Sequence, residues 1–257
     1  MTLDITSTAN PKIKWLNNLH KPSFRRAEHL IVVEGFKEIS AALTAGLQPY
    51  AFFSAPELEP PTLPNIEHSY TVSQKCFAKI AYRDDSDGVI GVFEEPEQSL
   101  ASFTLNENPF IIVIEAVEKP GNLGAIIRTA DGAGADAIIA CDPRCDIWSP
   151  NVTRASVGTR FSTPLIIASP QETLAFLTAH TITPYAAMLS EAAKPYTQQD
   201  YTTPTAIVLG TEATGLTPFW VDQATPVIIP MHGKNDSLNV SVAAGILAYE
   251  VVRQRSV

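Results

Sequence analysis

Three widely separated stretches of the chain carry side chains that packing alone does not require. The first, Glu118-Lys-Pro-Gly-Asn-Leu-Gly-Ala-Ile-Ile-Arg128, holds Asn122, an amide that both donates and accepts, and Arg128 nearly two helical turns further on. The second, Gly210-Thr-Glu-Ala-Thr-Gly215, sets Glu212 between two glycines. The third runs from Ile229-Pro-Met231 to Ser237-Leu-Asn239-Val-Ser-Val-Ala. Brought together, a carboxylate, a guanidinium, two amides and a hydroxyl would orient a polar substrate and manage one of its protons. Taken singly, each has a plainer explanation. Arg128 reads as a salt-bridged or solvent-facing arginine and Glu212 as a capping or surface carboxylate. Ser237 reads as one of three candidate N-caps, with Asn235 and Asp236, for a final helix.

The elements that must position these residues are legible from short apolar runs. Thr205 to Leu209 is β-branched and stops at Gly210, and Val227 to Pro230 stops at Pro230 and Gly233. Both read as buried parallel strands. Loops leaving the carboxyl ends of neighbouring strands form the ligand crevice of an open α/β sheet. The first stretch follows a third such run, Phe110 to Ile114. A dinucleotide site would need G-x-G-x-x-G there and an acid about twenty residues later, and neither is present. Gly132 and Gly134 read as a helix end and a turn.

From Phe110 onward strands and helices alternate regularly. Strands are expected at Phe110–Ile114, Ala137–Ala140, Pro164–Ile167, Pro184–Met188, Ala206–Leu209 and Val227–Ile229. Helices are expected at Asn122–Gly132, Pro150–Val157, Gln171–Ala179 and Ser237–Arg253. Such alternation implies a mostly parallel sheet covered by helices on both faces. The last helix is apolar nearly all round, which predicts burial on more than one side and a subunit interface as its second surface. Before Phe110 lies a smaller α/β unit. It has a helix capped by Asn10 and Pro11, strands at Leu30–Val33, Tyr50–Ser54 and Gly88–Phe93, a helix ended by Gly46 and another capped by Ser73. The acidic Glu94-Glu95-Pro96-Glu97-Gln98-Ser99 stretch reads as the connection, giving domains at 1–97 and 105–257.

The net charge of −9 argues against a polyanionic partner, but its distribution qualifies that. Up to Lys37 there are six basic residues (Lys12, Lys14, Lys21, Arg25, Arg26, Lys37) against three acidic ones (Asp4, Glu28, Glu34). A basic end on an acidic body steers nucleic acid to one face, and a solvated helix face explains the same charges. Cys76, Cys141 and Cys145 are odd in number, and the Cys141/Cys145 pair has no nearby histidine, so reduced thiols without metal are expected. No apolar run approaches the ~18 residues of a membrane span. The amino terminus, Met-Thr-Leu-Asp-Ile-Thr-Ser, has no basic region followed by an apolar one, so the expected location is the cytoplasm.

In their order, N-x-x-x-x-x-R, then G-x-E-x-x-G, then I-P-M followed by S-L-N-V-S-V-A, the three stretches resemble the signature motifs of the SpoU (TrmH-type) branch of the SPOUT superfamily. These are S-adenosylmethionine-dependent RNA ribose 2′-O-methyltransferases. The Arg154-Ala-Ser-Val-Gly158 run is similar to a segment between the family's first and second motifs. The amino-terminal part resembles, more loosely, the substrate-binding domain of ribosomal-RNA members, so ribosomal RNA is favoured over transfer RNA as partner. The resemblance implies an α/β fold with a carboxyl-terminal trefoil knot and a homodimer. It implies that Leu209, Gly210, Ile229, Met231 and Leu238 enclose the donor's adenine and ribose. It places Asn122, Arg128, Glu212, Ser237 and Asn239 round the reacting centre. Within that scheme Arg128 binds the target phosphate and lowers the effective pKa of the attacking hydroxyl. Asn122 or Glu212 orients the arginine, and Ser237 and Asn239 hold the loop and the ribose.

Two other readings stand beside this one. A non-catalytic RNA-binding or ribosome-assembly protein on the same fold would be expected to lack one or more of Arg128, Glu212, Ser237 and Asn239, and all are present. A nucleotide-dependent enzyme on an unknotted sheet is disfavoured by the missing glycine fingerprint.

Overall fold

A computed structural model describes residues 3–211 and 214–256. Contacts divide these into two compact units. The first contains the residues up to Glu97 together with Trp148–Ser162; the second contains Gln98–Ile147 and the residues from Thr163 on. Sequence reading leaves Trp148–Ser162 in the second domain.

In the first unit, helix α1 (Pro11–Leu19) starts where Asn10 accepts from the Lys12 N–H and Pro11 takes the first helical position. A short α2 (Pro22–Glu28) leads into strand β1 (Leu30–Glu34), and α3 (Phe36–Thr44) precedes β2 (Pro49–Ser54). After β3 (Ser69–Thr71) comes α4 (Gln74–Ile80), capped by Ser73, and then β4 (Val89–Glu94). The sheet order is β1-β4-β2-β3, antiparallel except for the β2/β3 pair. Ile13, Leu16 and Leu19 of α1 meet Phe53, Phe77 and Ile90 in its core. Helix α6 (Pro150–Ala155) lies against β1, and Trp148 donates its indole N–H to Glu95 at 2.8 Å. That packing groups the stretch with the first unit. Beside it the Arg160 guanidinium lies 3.7 Å over the Trp148 ring, and full burial lowers its pKa to about 9.

The second unit is built on seven parallel strands: β5 (Phe110–Glu115), β6 (Ala137–Cys141), β7 (Leu165–Ala168), β8 (Thr183–Ala187), β9 (Lys194–Pro195), β10 (Thr205–Leu209) and β11 (Thr225–Ile228). Their order is β7-β6-β5-β10-β8-β11-β9. Helix α5 (Pro120–Gly132) links β5 to β6, α7 (Pro170–Ala179) links β7 to β8, and α8 (Val240–Arg255) ends the chain. Every residue of β5, β6 and β10 is buried, as a sheet covered on both faces requires. Phe176, Leu177 and Trp220 pack with Ile111, Val113, Ile139 and Val208 on one side. Strand alternation turns Ile112, Ile114, Ile138, Ile207 and Leu209 to the opposite face, and α8 packs against β10 and α5.

Two expectations need correction. Strands β10 and β11 are not neighbours, because β8 pairs with both and lies between them. The final helix begins at Val240, not at Ser237. Its cap is Asn239, whose side chain accepts from the Ser241 N–H at 2.9 Å, so the three polar residues upstream stay in the loop.

Candidate functional site

The carboxyl ends of β5 and β10, paired in register at Ile114 and Leu209, open into a cleft. Its walls include Glu115, Val117, Asn122, Gly210, Thr211 and Val240. The chain leaves β5 through Ala116, held at φ 51°, and enters α5 at Pro120, where Lys119 provides no side-chain cap. Asn122 is therefore the third residue of the helix. Its side chain reaches the start of α8, where Asn239 donates its amide N–H to Asn122 Oδ1 at 3.2 Å. The first and third sequence stretches thus meet across the cleft. At its lip Glu118 pairs with Arg144 at 2.6 Å; both are half exposed or more, so the pair adds little stability.

Gly210 occupies a position that no other residue fits. A Cβ there would stand 2.2 Å from the Gly215 carbonyl carbon, 2.3 Å from its oxygen and 2.4 Å from the Leu216 nitrogen. The chain folds back on itself because Thr211 and Gly215 exchange both backbone hydrogen bonds, at 3.1 and 3.0 Å, with Gly215 at φ +67°. Thr214 N–H also bonds Thr211 Oγ1 at 3.1 Å. Glu212 lies outside the described residues.

Beneath this loop sits a residue that sequence reading missed. Glu115 is 3% exposed and accepts three hydrogen bonds, from Thr217 N–H and Thr217 Oγ1, both at 2.8 Å, and from Trp220 Nε1 at 3.2 Å. It ties the end of β5 to the short 3-10 turn Pro218–Trp220 that follows the glycine loop. A lone acid closing an apolar run is the only signal the sequence offers for it.

The remaining expected residues fall into two groups. Leu209 is buried at the end of β10, and Leu238 and the exposed Ser237 immediately precede Asn239. Arg128 is exposed on α5, two turns beyond Asn122. Ile229 and the half-buried Met231 lie on the loop leaving β11, two strands from β10; of the expected site residues among those described, only Asn122 and Gly210 line the cleft itself. Among the described residues no group of three or more His, Cys, Asp or Glu side chains is placed to hold a metal ion. None of their helices is long and apolar enough to cross a membrane.

The wall chemistry fits an adenosine-bearing ligand. Ile114, Val117, Ile126 and Val240 offer apolar surface to a flat ring system, and Asn122 with the main chain of Gly210 offers the few hydrogen bonds that fix its edge. Residues 109–249 match the SpoU rRNA Methylase family, and residues 10–91 match the MRM3-like substrate binding domain. The chain belongs to the SpoU methylase family. It is 28% identical over 96% of its length, and 98% of the relative's, to the 23S rRNA (guanosine(2553)-2′-O)-methyltransferase RlmP of Bacillus subtilis. The fold matches an AdoMet-bound rRNA methyltransferase from Sinorhizobium meliloti with TM-score 0.89, at 30% identity over 97% of both chains. It also matches an RNA 2′-O ribose methyltransferase with TM-score 0.84, at 35% identity, covering 98% of this chain and 99% of that one.

Proposed function

We propose that this chain is an S-adenosylmethionine-dependent RNA 2′-O-ribose methyltransferase acting on ribosomal RNA. The observation that carries the reading is the Asn239–Asn122 hydrogen bond, which joins two of the three family motifs at one cleft between β5 and β10. The donor supplies a methyl group on a positively charged sulfur. The protein's share is to bind that donor, exclude water and present the ribose hydroxyl in line. Positioning of this kind is worth roughly 7–11 kcal/mol in favourable intramolecular analogues.

In this reading Leu209 and Gly210 enclose the adenosine, with Leu238 ahead of the α8 cap and Ile229 and Met231 closing from the β11 loop. Arg128, exposed on α5, binds the phosphate next to the target nucleotide and lowers the effective pKa of its 2′-hydroxyl. A guanidinium keeps its proton in proteins, so electrostatic stabilisation of the developing alkoxide suits it better than proton abstraction. Asn122 or Glu212 orients it, and Ser237 and Asn239 hold the loop and the ribose. A trefoil knot formed by the segment after β10, and a homodimer, belong to the same proposal. Val242 and Tyr249 of α8, 50% and 53% exposed, supply apolar surface for a second copy. The same reading places the protein in the cytoplasm.

The test is methyl transfer from labelled S-adenosylmethionine to ribosomal RNA, read as alkali-resistant dinucleotides. Label at a 2′-oxygen is the expected result, with Arg128→Ala abolishing it while donor affinity persists. A protein that binds donor and ribosomal RNA and transfers no methyl would instead be a non-catalytic assembly factor.

A further inference from the structure

The first unit carries a run of aromatic rings on its surface that the methyl-transfer chemistry does not use. Trp15 on α1 lies 5.8 Å from Tyr50 at the start of β2, and Tyr50 lies 5.6 Å from His68. His68 stacks on Tyr70 of β3 at 6.4 Å with only 9° between the planes. The run ends on a cation: Lys12 Nζ stands 4.2 Å over the Tyr70 ring and donates to its hydroxyl at 2.7 Å. Tyr70 is anchored from beneath by Phe53 at 5.2 Å, and Trp15 and Tyr70 rest against the core, so the rings are held in place. Tyr50 is 43% exposed, and Lys12 and Lys14 are exposed on α1. Of the nearby acids, Asp4 is taken up by Thr71, whose N–H and hydroxyl donate to it at 2.8 and 2.9 Å, and Glu67 is exposed next to His68.

We infer that this strip is a binding site for an unpaired stretch of the substrate RNA, with Tyr50 taking a base on its open face and Lys12 and Lys14 holding the adjoining phosphates. The inference rests on the RNA-methyltransferase reading and adds what that reading leaves open, namely which form of RNA the first unit takes. Rings at an exposed strand start cannot reach bases stacked inside a duplex, whereas every unstacked base offers a π-face. The two lysines fit a polyanion better than an apolar peptide. The occupant is therefore a loop, bulge or end of RNA, recognised with little regard to sequence.

The experiment uses the full chain and two probes, a fluorescent oligouridylate and a blunt RNA duplex, followed by anisotropy. Tyr50→Ala is expected to weaken oligouridylate binding by about 5- to 150-fold, the loss of one stacked base, and to leave duplex binding unchanged. Tyr50→Phe keeps the ring face and restores binding. The Lys12→Ala/Lys14→Ala pair is expected to lower the salt dependence by about 0.7 for each phosphate contact removed. Equal oligouridylate affinity in wild type and Tyr50→Ala overturns the assignment. So does a ribosomal protein whose capture needs Tyr50 while RNA affinity does not. Tyr50-dependent oligouridylate binding by a protein that methylates nothing would support this site and sink the enzymatic reading, so the two failures are distinguishable.

Discussion

Asn239 donates to Asn122 across a separation of 117 residues, and the same side chain caps the last helix of the fold. Its Oδ1 accepts from Ser241 N–H at 2.9 Å and from Ser241 Oγ at 2.6 Å, while its Nδ2 reaches α5. Site and stability therefore share one residue, and two substitutions separate them. Asn239→Ala removes both roles and should cost about 1 kcal/mol in urea unfolding. Asn239→Asp keeps the cap, because a carboxylate accepts from Ser241 and sits well at a helix N-terminus, but it has no proton for Asn122. We expect Asp to unfold like wild type and both variants to bind S-adenosylmethionine more weakly by calorimetry. Undiminished donor affinity in the Asp variant would remove the Asn–Asn bond from the site.

The glycine loop makes a sharper demand. With Gly215 and Leu216 backbone 2.2 to 2.4 Å from where a Cβ would stand, Gly210→Ala cannot be absorbed by a side-chain rotation. Backbone must move, at about 1–3 kcal/mol for a single added methyl in a tight site. Gly210 and Thr211 themselves wall the cleft, so a backbone shift there should lower donor affinity at least tenfold, more than the melting temperature alone would suggest. Gly121→Ala is the control, since a Cβ there meets nothing within 4 Å. Equal losses for the two variants would mean that the close approach at Gly210 is not what shapes the cleft.

Glu115 supports that loop from below. Replacing it with Ala leaves the Thr217 N–H, the Thr217 hydroxyl and the buried Trp220 indole N–H without their acceptor. The Trp220 indole is fully buried, so its stranded N–H costs roughly 1–3 kcal/mol, while Thr217 is exposed and turns to water at smaller cost; Glu115→Ala should lose about that much from the second unit. Glu115→Gln keeps the shape and one acceptor oxygen, and should lose about half as much. Both should raise Trp220 fluorescence accessibility to a soluble quencher. A Glu115→Ala protein with unchanged unfolding midpoint would show that the turn Pro218–Trp220 is held by apolar packing instead.

The expectations that followed local chemistry match the structure to within a few residues. Asn10 with Pro11, and Ser73, cap helices as read, and the strand limits from Phe110 onward shift by one or two residues. What was illegible depends on distant parts of the chain. Nothing in Thr183–Ala187 says that it will pair with β10 on one side and β11 on the other, because sheet order is set by how connections cross, not by the strand's own residues. Among four polar residues before α8, the cap fell to Asn239, whose amide also found Asn122, a partner invisible at that sequence distance. Helix α2 was missed because seven residues with a buried arginine and little apolar surface leave no period to read, and β3 because three residues at a sheet edge leave none either. The expected strand stops at Ile114 and leaves Glu115 out, because nothing nearby in the sequence points to its two partners, Thr217 and Trp220, over a hundred residues away.

The far end of α8 should give the fold an acid limit. Arg253 donates to Glu250 through Nε at 2.8 Å and a terminal nitrogen at 2.7 Å, and Gln254 donates to it at 2.8 Å. These bonds, Arg253's first, hold the Glu250 carboxyl below its ordinary pKa. In the unfolded chain the group titrates near 4.3, so between that value and the lower folded one the unfolded state binds more protons. The stabilisation is therefore complete above about pH 5 and disappears as pH falls through the folded pKa. Gln254 passes the tie onward, donating to the Gln199 carbonyl at 3.0 Å and accepting from Tyr201 N–H at 2.8 Å, so loss at Glu250 loosens the end of the helix against the loop before β10. Glu250→Gln should be less stable than wild type at neutral pH, with the gap between their urea midpoints closing below about pH 4. Asp4, Glu172 and Asp200, also held low by hydrogen bonds, lend the same slope to both proteins and cancel in the difference. A gap that persists unchanged into acid would assign the cost to lost packing rather than to the charge on Glu250.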